Sequence, residues 1–158
     1  MYILGISCYY HDAAACMLKD GKIAAAAAEE RFTRKKHDND FPINAIKFCL
    51  KEAGVSAKQL DFVGFYEKPL LKFDRIIETA VKTYPKSFWM FCKAIPEWLT
   101  KKLRLPTTLR KRLGYDGRVY FIDHHKSHAS SAFFLSPFKE AAIITADGIG
   151  EWLSLIHI

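Results

Sequence analysis

The hydrophobic positions of the first 30 residues fall into three short runs, which predict three strands. These runs cover residues 3–7, 13–18 and 23–28, and Asp20-Gly21 separates the second from the third. An Asp-Gly pair between apolar runs is typical of a tight β-hairpin. The third run contains five consecutive alanines, which favour helix by propensity. Its short length and the turn before it favour a strand, so we expect a three-strand meander.

Beyond the meander, the pattern predicts helices alternating with strands. Phe41-Pro42 opens a helix whose apolar residues recur at helical spacing up to Gly54, which is placed to end it. Asp123 is placed to cap a later helix that runs to about residue 135. Further strands are predicted at residues 60–66 and 118–122 and, as a buried strand, at 141–146. Residues 67–113 read as helical, with breaks at Pro85, Pro96 and Pro106.

This order of elements predicts an α/β fold: a meander, a helix and a strand, a helical insertion at 67–113, and a final strand-helix-strand. It resembles the ribonuclease-H-like fold of the actin, Hsp70 and sugar-kinase ATPase superfamily. That resemblance implies one half-domain with a mixed sheet over residues 1–152. In such folds, the turn between the first two strands faces the ligand.

Composition and charge narrow the class of protein. With 158 residues, half of them hydrophobic, the chain can build one globular core. No apolar run is long enough to span a bilayer, and four cysteines without a CxxC pair indicate reduced thiols. We therefore expect a cytoplasmic protein. The net charge of +7 suits nucleic acid, an anionic membrane or phosphorylated ligands. The basic cluster at 101–118 is interpreted as a solvated face, whereas that at 31–36 is interpreted as functional.

A candidate metal site lies near the end of the chain. His124 and His128 are four residues apart on the predicted helix and so share a face, whereas His125 points elsewhere. Asp147 follows a predicted strand and can add a carboxylate. Two histidines and one carboxylate leave positions on a metal open for substrate. The alternative is that such a histidine pair is a surface feature or a satisfied pair in the core.

Glycines and basic residues predict contacts to a phosphate or carboxylate. Gly148 and Gly150 allow the backbone to approach a phosphate closely, although the same pattern makes ordinary turns. Arg31 and Lys36 directly follow the third strand, on the expected ligand side, where they could hold an anion. The alternative for this pair is an exposed loop.

A histidine and an aspartate occupy the turn between the first two strands. His11 at this position can serve as a general base, and Asp12 can orient it. Without other support, an ordinary turn histidine beside an aspartate is the preferred explanation of the pair.

Two long motifs carry a resemblance to a known family. The segment ILGISCYYHDAAACMLKDGKIAAAAAEERFTRKKHDNDFP, and the blocks DHHKSHASSAFFLSPF and DGIGEW, resemble the O-carbamoyltransferases of nodulation-factor and antibiotic biosynthesis. These motifs cover nearly the whole chain in the family's order. The chain is thereby identified as the Kae1-like N-terminal domain of such an enzyme.

The resemblance implies a reaction and its parts. A YrdC-like C-terminal domain makes carbamoyl adenylate from carbamoyl phosphate and ATP, and the Kae1-like domain passes the carbamoyl group to a hydroxyl of a small-molecule acceptor. A divalent metal, typically iron, with magnesium or zinc as alternatives, is implied at His124, His128 and Asp147. The resemblance also implies active-site roles for His11 and Lys36.

Three other functions remain open at this stage. The related Kae1-type enzyme that forms threonylcarbamoyladenosine in tRNA shares the histidine pair, and a basic protein suits RNA. Against it stand the EERFTRKKH block and the helical segment 67–113, so no nucleic acid partner is expected. The second alternative is a non-catalytic binding module of the ATPase fold, and the third is a membrane-bound interaction protein.

The last six residues, LSLIHI, depart from the family's pattern. They match the translation of a common sequencing adapter, so we expect residues 153–158 to be a non-native tail. On this interpretation the C-terminal domain is missing, and the chain alone is inactive.

Overall fold

The structure is a computed structural model, and it describes residues 1–146. The chain divides into two compact units. Of the described residues, the first unit contains 1–65 and 97–120, and the second contains 66–96 and 121–146. Asp147, Gly148, Gly150 and the tail at 153–158 lie outside the described residues.

A mixed five-strand sheet in the order β3-β2-β1-β4-β5 organises the first unit. β1 pairs antiparallel with β2, which pairs antiparallel with β3, while β1 and β4 run parallel. The predicted meander and the α/β class are therefore confirmed. The strands are β1 (Tyr2–Ser7), β2 (Ala14–Lys19), β3 (Lys22–Ala28), β4 (Phe62–Phe65) and β5 (Val119–Phe121).

The turn between β2 and β3 explains why the alanine run forms a strand. Asp20 and Gly21 have φ angles of 50° and 78°, the left-handed pair that a two-residue hairpin turn needs. This turn sends the chain straight back along β2, so that Ala25–Ala28 pair with Ala14–Met17. Cross-strand pairing thus overrides the helical preference of alanine.

Helix α2 (Ile43–Ala53) covers β2 and β3. Its apolar face, including Ile46 and Cys49, is buried, as are Leu4 and Met17 of the sheet. Gly54 ends the helix with a left-handed φ of 69°, as predicted. This packing forms the core of the first unit.

The helices predicted in residues 67–113 are present, but one predicted break is wrong. Pro85 lies between two helices and Pro106 lies in the first turn of another, whereas Pro96 lies inside a helix that continues past it. The proline costs the carbonyl of Cys92 its usual partner, and water can satisfy that carbonyl because Cys92 is exposed. The helices are α1 (Glu30–Thr33), α3 (Pro69–Lys82), α4 (Phe88–Thr100), α5 (Leu105–Leu113) and α6 (His124–Phe133).

The predicted buried strand at residues 141–146 is also wrong. These residues form no regular element, and Ile144 is 95% exposed. A strand needs a neighbour that supplies hydrogen bonds and apolar cover. Among the described residues, no strand pairs with this segment.

Within residues 1–146, no helix combines the length and the apolar character that crossing a bilayer requires.

Candidate functional site

Two imidazoles meet on one face of α6. The Nε2 atoms of His124 and His128 lie 3.2 Å apart, and the two rings are nearly perpendicular at 85°. His124 is buried, whereas His128 is exposed. The i, i+4 spacing therefore brings the two nitrogens together, as the sequence predicts.

Residues that precede α3 hold the start of α6 in place. The Ser127 hydroxyl donates a hydrogen bond of 2.9 Å to the carbonyl of Tyr66, whose ring meets the ring of His124 edge to face. Lys68 pairs with Asp123 at 2.6 Å. These contacts fix the start of α6, the helix that carries the two histidines.

Asp123 does not cap α6 with its side chain, so that prediction is wrong. Its carboxylate instead pairs with Lys68 and, at 3.4 Å, with Lys126. The hydrogen bond from Lys68 is the main cause that lowers the pKa of Asp123. A carboxylate engaged by two ammonium groups is not available to the N–H groups of the helix.

The remaining histidine of this motif points elsewhere, as expected. His125 Nδ1 lies 3.1 Å from the Thr145 hydroxyl. His125 therefore offers a natural comparison for the pair beside it.

The spacing of the pair suits a shared metal ion. Zinc-to-nitrogen bonds are about 2.0–2.1 Å long, so two nitrogens on one ion at 90–110° lie roughly 3.0–3.4 Å apart. The 3.2 Å separation falls in this range. A third ligand is not seen, because no group of three or more histidine, cysteine, aspartate or glutamate side chains suited to a metal occurs within residues 1–146. Asp147, the predicted third ligand, lies outside the described residues.

A second cluster of polar groups lies in the loop between β1 and β2. His11 Nδ1 lies 2.9 Å from Asp12 Oδ2, and His37 Nδ1 lies 2.9 Å from Asp12 Oδ1. All three side chains are exposed. The hydrogen bond from His37, followed by that from His11, lowers the pKa of Asp12.

Backbone hydrogen bonds join this loop to the segment around His37. Tyr9 N–H donates to the Asn39 carbonyl and Ala13 N–H to the Asp38 carbonyl, each at 2.7 Å. Asp38 is buried and accepts hydrogen bonds from the Thr33 hydroxyl and the Asp40 N–H. The Asp40 N–H is the main cause that lowers the pKa of Asp38. These hydrogen bonds therefore join the two loops and hold His11 and His37 on either side of Asp12.

The family model described as the carbamoyltransferase N-terminus matches residues 2–157. The chain belongs to this carbamoyltransferase family. The match confirms the family that the two long motifs predicted.

Three relatives of this carbamoyltransferase domain illustrate its range. An uncharacterized protein of Synechocystis sp. is 52% identical over 96% of this chain and 26% of its own length. The nodulation protein NolNO of Sinorhizobium fredii is 35% identical over 92% of this chain and 21% of its own length. An uncharacterized protein of Methanocaldococcus jannaschii is 32% identical over 98% of this chain and 23% of its own length. The chain thus spans about a quarter of these relatives.

The two basic residues predicted from the EERFTRKKH block of the carbamoyltransferase domain are exposed. Lys36 is exposed in the segment between α1 and His37. Arg31 is also exposed, and its guanidinium lies 4.0 Å from the carboxylate of Glu30. Lys36 thus lies in a loop, whereas Arg31 lies in α1. Their contacts to an anion stay a prediction.

Sequence reasoning missed two residues of the carbamoyltransferase domain. His37 was treated only as part of a charged block, although it binds Asp12. Glu29 is buried, and its carboxylate accepts hydrogen bonds from the N–H groups of Asn44 and Ala45 at the start of α2. The available signal for Glu29 was Pro42, which stands at the cap position of α2 and has no side chain that can cap a helix.

Proposed function

We propose that this chain is the acceptor-side domain of an O-carbamoyltransferase with a ribonuclease-H-like fold. The substrates proposed are carbamoyl adenylate, made from carbamoyl phosphate and ATP by a YrdC-like domain, and a hydroxyl of a sugar or another small metabolite. Family membership supports the transfer of a carbamoyl group. The observation that carries the proposal is the pair of Nε2 atoms 3.2 Å apart on α6.

The donor set fits a divalent metal. Two imidazole nitrogens at this separation suit iron or zinc better than magnesium, which prefers oxygen ligands. His124 and His128 are the proposed ligands, with Asp147 as the third. Such a metal, when bound, would polarise the carbamoyl oxygen on which negative charge develops.

The proposed transfer uses this chain's own residues for proton and charge. The acceptor oxygen attacks the carbamoyl carbon, the bond from that carbon to the phosphate oxygen breaks, and AMP leaves. His11 Nε2 takes the proton from the acceptor hydroxyl. This is possible because Asp12 accepts a hydrogen bond from Nδ1, which leaves a lone pair on Nε2. The exposed ammonium of Lys36 offsets phosphate charge.

The test measures metal content and carbamoyl transfer together. His124→Ala and His128→Ala, made in the intact enzyme, are each expected to lower bound metal at least tenfold and transfer by roughly a hundredfold or more. His125→Ala is the matched control, because His125 Nδ1 lies against the Thr145 hydroxyl and its ring meets His124 only edge to face, with centroids 6.0 Å apart. Full metal content and full transfer in both variants would contradict the proposal.

A second interpretation of the same distance is a structural hydrogen bond. A separation of 3.2 Å also fits an N–H of one imidazole donating to the other. The domain would then be a non-catalytic binding module. In that case the purified wild-type protein holds no metal, and His128→Ala lowers only the free energy of unfolding.

A further inference from the structure

One imidazole of the loop cluster has no role in the proposed transfer. His37 Nδ1 binds Asp12 Oδ1 at 2.9 Å, on the opposite carboxylate oxygen from His11. The two histidines are 26 residues apart in sequence and reach the same group from different loops. Asp12 is thus held from both sides.

Sharing the carboxylate fixes the protons on both rings. An ionised carboxylate accepts hydrogen bonds and donates none. Each Nδ1 must therefore carry a hydrogen, and each neutral ring then has its lone pair on Nε2. Both rings are 65% exposed, so Nε2 is accessible to a ligand.

The backbone around the cluster is held in an unfavourable conformation. Tyr9, Asp12 and His37 all have positive φ angles, of 70°, 47° and 55°, and none is glycine. Such angles cost free energy and persist only where the surroundings impose them. Here the N–H groups of Tyr9 and Ala13 bond to the carbonyls of Asn39 and Asp38 and hold the two loops together. Strained backbone that brings three titratable side chains together points to a functional arrangement.

We propose that His37 is a positioning residue for His11 and acts through Asp12. This inference rests on the proposed function, in which His11 is the base. By holding one oxygen of Asp12, His37 keeps the other oxygen on Nδ1 of His11. Nε2 of His11 is then kept as the proton acceptor, at a fixed place, for the acceptor hydroxyl.

The groups that face the cluster are few. The Tyr10 ring lies 4.7 Å from the ring of His11, and Glu30 accepts the backbone N–H of His37 at 3.3 Å. Lys36 and Asp38 are the sequence neighbours of His37, and the Asp38 carboxylate is directed to Thr33 and Asp40. Asp12 is thus the carboxylate that bonds both imidazoles.

The first test reads the rings directly and needs no substrate. In protein labelled with nitrogen-15 at histidine, His11 is expected as the Nδ1–H tautomer between pH 7 and 8. His37→Ala should turn it into a mixture of tautomers. His37→Asn should preserve the tautomer, because the amide N–H can still donate to Asp12. An unchanged tautomer in His37→Ala would overturn the proposal.

The second test separates positioning from binding. In the intact enzyme, His37→Ala is expected to lower kcat at least tenfold and to shift the acid limb of the pH profile, with KM changed less than threefold. His37→Asn should restore kcat to within about threefold, and the control His125→Ala should change neither constant. Equal losses in the alanine and asparagine variants would contradict a role that depends on the donated hydrogen bond.

The two tests also separate this inference from the function on which it rests. If the tautomer responds as expected but the wild-type enzyme transfers no carbamoyl group to any hydroxyl, the proposed function fails and the coupling of His37 to His11 is supported. If transfer proceeds and His37→Ala is as active as wild type, the positioning role fails and the proposed function stands.

Discussion

At the scale of single residues, the polar side chains of this domain pair in two ways, within one helix or across two loops. The pairing of His124 with His128 follows from helical spacing alone. The pairing of Asp12 with His37 depends on how two loops are joined, which no local pattern encodes. Glu29 escaped notice for the same reason, because it acts on a helix that starts 14 residues later.

Replacing Glu29 tests its role at the start of α2. Glu29→Ala removes the acceptor of the N–H groups of Asn44 and Ala45. Loss of charged hydrogen bonds at a buried site should lower the free energy of unfolding by about 3 kcal/mol. Denaturant titration measures this change. Glu52→Ala, an exposed change in the same helix, should stay within about 0.5 kcal/mol; similar losses in both variants would show that Glu29 has no capping role.

The buried carboxylate of Asp38 predicts a dependence of stability on pH. Its pKa is lowered in the folded state, so the unfolded chain binds more protons in acid. The stabilisation is complete above the ordinary pKa of an aspartate and is lost as the pH falls through the lowered value. Unfolding measured from pH 7 to 3 should show this loss. Asp38→Asn should reduce this loss of stability in acid, whereas Asp74→Asn, at an exposed position, should leave the loss unchanged.

At the scale of elements, the sequence predicts which helices and strands are present better than it predicts where they end. All five strands of the sheet and the helices α2 and α6 were predicted from period and turn residues. The failures are a helix that passes Pro96 and a segment at 141–146 that has apolar residues but no strand partner. In each case the deciding factor is non-local: access of water to a carbonyl, or the presence of a neighbouring strand.

A buried ion pair next to α3 gives an element-scale prediction. Glu67 is fully buried and pairs with Lys72 at 2.8 Å, while its Oε1 finds no hydrogen-bond partner among residues 1–146. Lys72→Met leaves a buried carboxylate without its cation and should cost about 3–5 kcal/mol of unfolding free energy. Adding Glu67→Gln should recover much of this loss.

The same helix supplies a control for that pair. Glu78 and Lys82 form an exposed pair at 2.6 Å, one turn apart. Lys82→Met should cost less than about 1 kcal/mol, because water screens exposed pairs. Comparable losses for Lys72→Met and Lys82→Met, measured by denaturant titration, would refute the importance of burial.

At the scale of the whole molecule, the positive charge does not by itself indicate nucleic acid. Much of the basic segment 101–118 is engaged within the first unit. Lys102 lies over the Trp98 ring, Arg112 lies over the Phe41 ring, and Arg110 binds Asp116 at 2.6 Å. These contacts support the interpretation of this segment as a structured, solvated face.

A binding measurement tests that interpretation. At about 150 mM salt, tRNA should bind no tighter than the range of non-specific contacts, roughly 10⁻⁴ to 10⁻⁶ M. Substitution of Arg104 by alanine should leave this weak binding unchanged within about twofold. Specific, nanomolar tRNA binding would favour the Kae1-type enzyme of tRNA modification over a small-molecule carbamoyltransferase.

The hydrogen bonds that the carboxylates of Glu29 and Asp38 accept limit how the length of this domain can vary. Surface loops usually tolerate inserted residues. The Asn44 side chain donates a hydrogen bond to the Glu29 carboxylate, which ties the two ends of residues 29–44 together. Within this stretch, the Thr33 hydroxyl donates to the Asp38 carboxylate and closes a smaller loop. A single added residue anywhere in this stretch displaces an anchored carboxylate, a helix start or His37. Length variation among related domains should therefore be concentrated outside this stretch, and here the chain should admit exchanges of side chain but neither gaps nor additions.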